Sequence, residues 1–430
     1  MSTLALKNGA PVRTKPFPSW PVFDKSEEDA LLGVLRSGKW WRFAFGQGVD
    51  LAEPEKGDRS QVVLFQEEFA RHHGCQYGVA AANGTATLEM GLRAMNLDIG
   101  DEIIVPAYTY VASATCVLQN NLVPIFVDSD PDTYNLDPQR IEDAITHRTR
   151  AIIVVHFGGQ PADMDRITAL AQKHNLAVIE DAAHAHGCEW KGKRAGSLNS
   201  LFSSFSFQAS KNMTCGEGGI VCTNDHRLAV ACDSLTWAGR KVGRPWYEFH
   251  RLGWNYRLTE FQAAILRCQL RRLDEQNRLR MKNAKSLSGK LGEIDGIRPL
   301  VQDSRTTVHG YHIYMFRYDE PKIGLKRDTF IRALVAEGIP ASGGYAFPLY
   351  KNPMFMEKRF INEGFPLGTK YHRDLDYGTF AAKCPVAERA CQYEAIWLPQ
   401  SMFLGTEEDM DDVVRAVRKV LENKGQLSCD

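Results

Sequence analysis

The stretch SFSFQASKNMTCGEGG, Ser204 to Gly219, sets Lys211 between a strand-like alternation and a glycine-rich turn. Lysines mostly sit in water, and a surface charge at a strand end is the plain reading of Lys211 taken alone. Held against apolar surface, a lysine loses part of its preference for the ammonium form. It then becomes a nucleophilic amine that can condense with a carbonyl as a Schiff base. Ser206 lies five residues before it and Gly216 five after, adding a hydroxyl and close backbone approach. Asn83-Gly84-Thr85 turns from an apolar run into a helical pattern. Such a helix start offers free N–H groups to an anion or phosphate; a structural N-cap by Asn83 or Thr85 accounts for the same residues. Asp181 ends the run LAVIED, where a carboxylate beside buried surface needs a cationic or hydrogen-bonding partner, or else caps the next turn. His184 shares Asp181's face if a helical turn begins there, and by itself reads as a structural histidine rather than a catalytic one.

These residues all follow strand-like runs. Between about residues 60 and 225, short Ile- and Val-rich segments (YGVAAANG, DEIIVP, VPIFVD, RAIIVVH, LAVIEDA, SSFSF) alternate with helical ones such as VVLFQEEFARHHG, DPQRIEDAI and ADMDRITALAQKHN. That alternation predicts βαβ units and a mostly parallel sheet, with ligands at the carboxyl ends of its strands. The order along the chain is phosphate-binding helix start, aromatic-rich strand exit (VPAYTY), carboxylate, then lysine near serine. It meets the needs of pyridoxal phosphate for phosphate, ring face, pyridinium nitrogen and aldehyde. A long helical pattern from Thr259 to Leu291 leads into a second, smaller α+β unit containing HIYMFRYDE, RDTFIRALVAEGI, AIWLPQ and TEEDMDDVVRAVRKVLENK. The expected division is 1–275 and 276–430.

Composition bounds the partners. Lys plus Arg and Asp plus Glu number 52 each in 430 residues, so no net charge draws the chain to nucleic acid or an anionic membrane. No apolar run reaches membrane-spanning length and the N-terminus lacks a signal-peptide pattern, so a cytoplasmic protein is expected. The 10 cysteines show no C-x-x-C pair and read as reduced, mostly buried thiols. No metal site is read.

With EDAAHAHG and SFSFQASKNMTCGEGG as its most specific motifs, the chain resembles the DegT/StrS-type sugar aminotransferases. The likeness runs from WPVFDKSEEDALLGVLRSGKWW near the N-terminus to CPVAERACQYEAIWLP near the C-terminus. The resemblance implies fold-type I architecture, with a mostly parallel seven-stranded sheet flanked by helices and a smaller α+β C-terminal domain. It implies that Lys211 is the Schiff-base lysine and proton shuttle, that Asp181 pairs with the pyridine nitrogen, and that His184 lies near the ring hydroxyl. Tyr110 would stack on the ring, and Gly84, Thr85 and Ser206 would hold the phosphate. Asn255, in GWNYRLTEFQAA, would reach the phosphate from the partner chain of a homodimer.

The substrate is narrowed by a departure. Where nucleotide-sugar members show an H-[YF]-x-P-[LI]-H stretch, this chain reads GGYAFPLYKNPMF, with Tyr345 and Tyr350 at the histidine positions. SGKWWR and CPVAERACQYEAIWL look more like scyllo-inosose aminotransferases and 3-amino-5-hydroxybenzoate synthases. The expected activity is transfer of an amino group from glutamine or glutamate to a keto-cyclitol or keto-sugar in amino-sugar, aminocyclitol or antibiotic biosynthesis. The alternatives are a dehydrating, aromatising enzyme and, in another class, a non-catalytic pyridoxal-phosphate-binding regulator. Trp40, Trp41 and Arg42 line the substrate pocket in one reading and anchor the N-terminal segment in the other; Tyr345 is a further candidate for substrate contact. The segment 43–60 is either a lid or a surface loop.

Overall fold

The computed structural model describes residues 3–45 and 59–427. Its centre is a seven-stranded sheet. In spatial order the strands are Tyr77–Ala81, Gly219–Thr223, Phe202–Ser206, Ala177–Asp181, Thr149–Val155, Glu102–Pro106 and Val123–Val127. Gly219–Thr223 is antiparallel to both neighbours, and the other pairings are parallel. Strands with both faces covered need apolar residues at every position, which explains the unbroken IIV and IIVV runs. Successive side chains enter opposite layers. Ile103, Val105, Ile153 and Val155 enter one core, and Ile104, Ile152 and Val154 enter the other. Each buried aliphatic of this kind contributes roughly 1.5–3 kcal/mol.

The connecting helices follow the sequence pattern closely. Asn83 caps Gly84–Ala94, its side chain accepting from the Ala86 N–H at 2.8 Å. The long helix spans Glu260–Gly292, started by a capping box between Thr259 and Gln262. It passes residues 275 and 276 without a break. Beyond it a three-stranded antiparallel sheet, Ile297–Pro299, Ile313–Tyr318 and Ala395–Pro399, packs with helices Arg327–Ala336 and Glu407–Glu422 around its own core.

Two elements differ from the sequence reading. DPQRIEDAI forms one helical turn, Pro138–Ile141, and a 3-10 turn, Glu142–Ala144, because the chain is extended again at Ile145 to enter the strand at Thr149. The segment after Asp181 is no helical turn. It makes two successive tight turns, with the Ala185 N–H bonded to the Ala182 carbonyl and the Cys188 N–H to that of Ala185. No described helix is long and apolar enough to cross a membrane. The nine described cysteines are unpaired, and eight of them are buried.

Candidate active site

The sheet register brings the sequence-predicted residues to one edge. Asp181 pairs with Val155 and Ser204, Ser206 with Gly219, and Gly219 with Ala81, two residues before Asn83. The strand ends therefore deliver Asn83-Gly84-Thr85, Tyr110, Asp181, His184 and Ser206 to one cavity of about 730 Å³, and the loop after Ser206 brings Lys211 into it.

Lys211 is half-buried, and its ammonium is disfavoured by burial, which pushes the pKa down to about 8 against the opposing pull of Asp181. Asp181 is buried, and that burial raises its pKa. The Ser113 hydroxyl donates to Oδ2 at 2.7 Å and the Ala183 N–H to Oδ1 at 3.2 Å, which hold the carboxylate in place and resist the rise. The adjacent Glu180 points into the other layer. There it accepts from His156 Nε2 at 2.9 Å, from the Ser200 hydroxyl and from the Gly196 N–H, which bring its pKa below the usual value despite complete burial, and from the Leu198 N–H. Period-two geometry thus gives the neighbouring carboxylates different tasks. His184 accepts from the Gly158 N–H at Nδ1, and burial, then Lys211, lower its pKa strongly.

At the helix start Asn83 satisfies the Ala86 N–H, so the cap reading holds, and the N–H groups of Gly84 and Thr85 remain outside the intrahelical ladder. A Cβ on Gly84 would lie 2.6 Å from Ser206 Cβ. Glycine here keeps the helix start against the Ser206 strand while leaving the cradle beside it unfilled. An amine, a buried carboxylate, a helix start with an adjacent hydroxyl and an aromatic ring all line one cavity, and this set fits pyridoxal phosphate.

The structure places the other candidates less uniformly. Tyr345 lines the cavity, edge-on to Trp397 at 4.9 Å and to Tyr108 at 5.5 Å between centroids. Tyr110 lines it from an exposed position. Asn255 is exposed and outside the lining of its own chain's cavity, whereas the next residue, Tyr256, lines it. Trp40, Trp41 and Arg42 do not line it either. Trp40 packs on Phe261, and Arg42 is buried and paired with Asp233 at 2.7 Å, so its guanidinium is already neutralised within the chain. Trp40 and Trp41 are each about half exposed. Residues 46–58, most of the segment read as lid or loop, lie outside the described residues.

Sequence reasoning passed over Ser113, His312 and Trp397. Ser113 falls within VASAT, directly after the aromatic strand exit, where a hydroxyl facing Asp181 could have been sought. His312 opens the strand motif HIYMFRYDE. It lies about a hundred residues from Lys211 in sequence, with no local spacing to connect them.

Comparison with known proteins agrees with this geometry. The L-glutamine:2-deoxy-scyllo-inosose aminotransferase of Streptoalloteichus tenebrarius is 40% identical over 435 residues, covering 99% of both chains. A Micromonospora echinospora protein named for L-glutamine:3-amino-2,3-dideoxy-scyllo-inosose aminotransferase activity is 38% identical over 430 residues, covering 99% of this chain and 98% of its own. The crystal structure of 3-amino-5-hydroxybenzoic acid synthase superposes with a TM-score of 0.84 at 33% identity, covering 95% of this chain and all of the other. Fold and site define a fold-type I, pyridoxal-phosphate-dependent transaminase. The catalytic reading therefore holds over the binding-only one. Within that class the chain belongs to the DegT/DnrJ/EryC1/StrS aminotransferase family, whose profile matches residues 56–418.

Proposed function

We propose that this enzyme transfers the amino group of L-glutamine to a keto-cyclitol of the deoxy-scyllo-inosose type, in aminocyclitol biosynthesis, with Lys211 as its working amine. The observation that carries the assignment of Lys211 is its amine, half-buried, with a pKa near 8 and Asp181 as the carboxylate acting on it. Pyridoxal phosphate, when bound, supplies the aldehyde that carries the amino group and a ring that accepts electron density from the substrate carbon. Asp181, fixed by Ser113 and Ala183, would hold a proton at the ring nitrogen; Gly84, Thr85 and Ser206 would hold the phosphate, with Tyr110 toward the ring and His184 toward its hydroxyl. Lys211 Nζ takes a proton from the donor's α-carbon in one half-reaction and returns one in the other. A pKa near neutrality suits an amine to both directions.

The keto-cyclitol is supported by the full-length likeness to the two inosose aminotransferases and by the cavity's chemistry. Among the described residues that line it, Lys211 is the one lysine or arginine, alongside the carboxylates Glu89, Asp181 and Glu217 and hydroxyl, amide and aromatic groups. Such acceptors and donors can take up the hydroxyl groups of a polyhydroxylated ring. The likeness to the hydroxybenzoate synthase favours a dehydrating reaction as the second reading.

We assign the donor's carboxylate to Arg257 of a partner chain. Arg257 has no hydrogen-bond or ion-pair partner among the described residues, and it flanks Tyr256 on the side away from Asn255. Trp246, Tyr247 and Leu252, in the same stretch of chain as Asn255 and Arg257, are exposed apolar residues of the kind a homodimer covers. In this reading the part up to residue 275 binds the cofactor, and the part from 276 supplies His312, Tyr345 and Trp397 to the substrate side. The unpaired cysteines accord with a cytoplasmic enzyme. Purified protein supplied with pyridoxal phosphate, glutamine and 2-deoxy-scyllo-inosose is expected to yield the aminocyclitol and the 2-oxo acid of glutamine in equal amounts. A loss of water from the ring without a 2-oxo product selects the dehydrating reading, and no product with any keto-cyclitol or keto-sugar refutes the function.

A further inference from the structure

His184 and His312 stand side by side on the cavity wall, with ring centroids 4.3 Å apart. Each has its Nδ1 engaged by the chain, in opposite senses. The side-chain amide of Asn212 donates through Nδ2 to the Gly310 carbonyl at 2.6 Å. Its oxygen is therefore the atom facing His312 Nδ1 at 3.2 Å. An amide oxygen only accepts, so Nδ1 of His312 carries the hydrogen and its Nε2 is bare in the neutral ring. His184 is the reverse: its Nδ1 accepts from the Gly158 N–H at 3.4 Å, so the neutral ring carries its hydrogen on Nε2. The nearby His186 has an Nδ1 sealed in the interior without a partner, but the Nε2 atoms of His184 and His312 are not sealed in this way.

Several groups hold both rings neutral. Burial is the largest, and the Lys211 charge adds to it for each. His312 also feels Arg280, a fully buried guanidinium whose hydrogen bonds go to the neutral Gln400 and Asn277.

We propose that the two rings form a tautomer-locked pair, one N–H donor beside one bare nitrogen, and that His312 is a positioning residue accepting a hydrogen bond from the substrate's amino group. The inference rests on Lys211 marking the site of amine exchange. An amino donor must be neutral to attack, and a neutral amine still has N–H bonds to offer. An acceptor that takes one of them orients the nitrogen and leaves its lone pair free for the reacting carbon.

The test begins on protein free of pyridoxal phosphate, with ¹⁵N-labelled histidine and His184→Phe and His312→Phe variants for assignment. Nuclear magnetic resonance should show His312 protonated on Nδ1 and His184 on Nε2, unchanged from about pH 6 to about pH 9, while free imidazole titrates across that interval. Asn212→Leu should convert His312 to a tautomer mixture, and Asn212→Asp, which still accepts from Nδ1, should restore the single form. With glutamine as donor, His312→Phe should lower kcat/KM by on the order of tenfold, the effect of one lost hydrogen bond, while still binding pyridoxal phosphate. Asn212→Leu should lose less and Asn212→Asp should recover. A His312 protonated on Nε2 overturns the inference, as does a His312→Phe variant with full kcat/KM for glutamine. A Lys211→Ala variant that still develops the colour of lysine-bound pyridoxal would instead overturn the reading of the site on which the inference rests.

Discussion

Two opposing neighbours set the charge on Lys211, the apolar surroundings that bury it and the Asp181 carboxylate. Burial favours the neutral amine, and the Asp181 carboxylate favours the ammonium, leaving the pKa near 8. The other titratable groups that act with it, His184, His186 and His312, are held neutral by burial and by the lysine itself, so they add no competing charge near neutral pH. The sign follows directly. Below about pH 8 the protonated, unreactive form dominates; above it the neutral amine does, well before the ordinary lysine value of 10.5. Labelling of the cofactor-free protein with trinitrobenzenesulfonate, followed at the Lys211 peptide by mass spectrometry, is expected to accelerate with a midpoint near pH 8. In Asp181→Asn the midpoint should fall, because the group that stabilises the ammonium is gone; a midpoint near 10 in the parent protein would show a solvated surface lysine. The lysine and the aspartate were legible because each carries a distinctive chemistry directly after a strand. Ser113, which holds the aspartate, was not, because a serine in a helix start has many ordinary uses.

The element on which the proposed phosphate site rests is the turn from Tyr77–Ala81 into Gly84–Ala94. Its strand, cap and helix were visible in the sequence through the apolar run, Asn83 and the helical spacing of Leu88 and Leu92. What sequence could not show was the separation from Ser206, which lies across the antiparallel strand Gly219–Thr223. That strand is a five-residue run that begins on the second of two adjacent glycines, Gly218 and Gly219, and it carries little signal beyond β-branched residues. Gly84→Ala places a methyl group 2.6 Å from Ser206 Cβ, which the turn can only accommodate by shifting. Overpacking of this kind typically costs about 1–3 kcal/mol. The expected outcome is a lower melting temperature for the cofactor-free protein and pyridoxal phosphate affinity weakened by roughly ten- to a hundredfold, since about 1.4 kcal/mol corresponds to tenfold. Unchanged affinity in a titration would mean that the helix start does not hold the phosphate.

At the scale of the whole molecule the cavity is assembled from segments far apart in sequence: a helix start near residue 84, a turn at 181–184, a loop at 211, and His312, Tyr345 and Trp397 from the C-terminal part. The alternation of short β-rich runs with helices made the large sheet legible, since each strand and helix is specified locally. The far wall was not, because the Tyr108–Tyr345–Trp397 aromatic packing and the His184–His312 pair depend on how the C-terminal sheet docks, which no local spacing encodes. Asn255 and Arg257 do not line their own cavity, and in the homodimer we propose they serve a neighbouring one. All of it converges on one amine, so the most direct measurement is the visible absorption spectrum of the intact protein with pyridoxal phosphate, before and after glutamine, beside a Lys211→Ala variant. The parent protein should turn yellow as Lys211 binds the aldehyde and bleach on adding glutamine, and the variant should show no protein-bound yellow form. A variant as yellow as the parent, or a parent that never develops the colour, would contradict the assignment of Lys211.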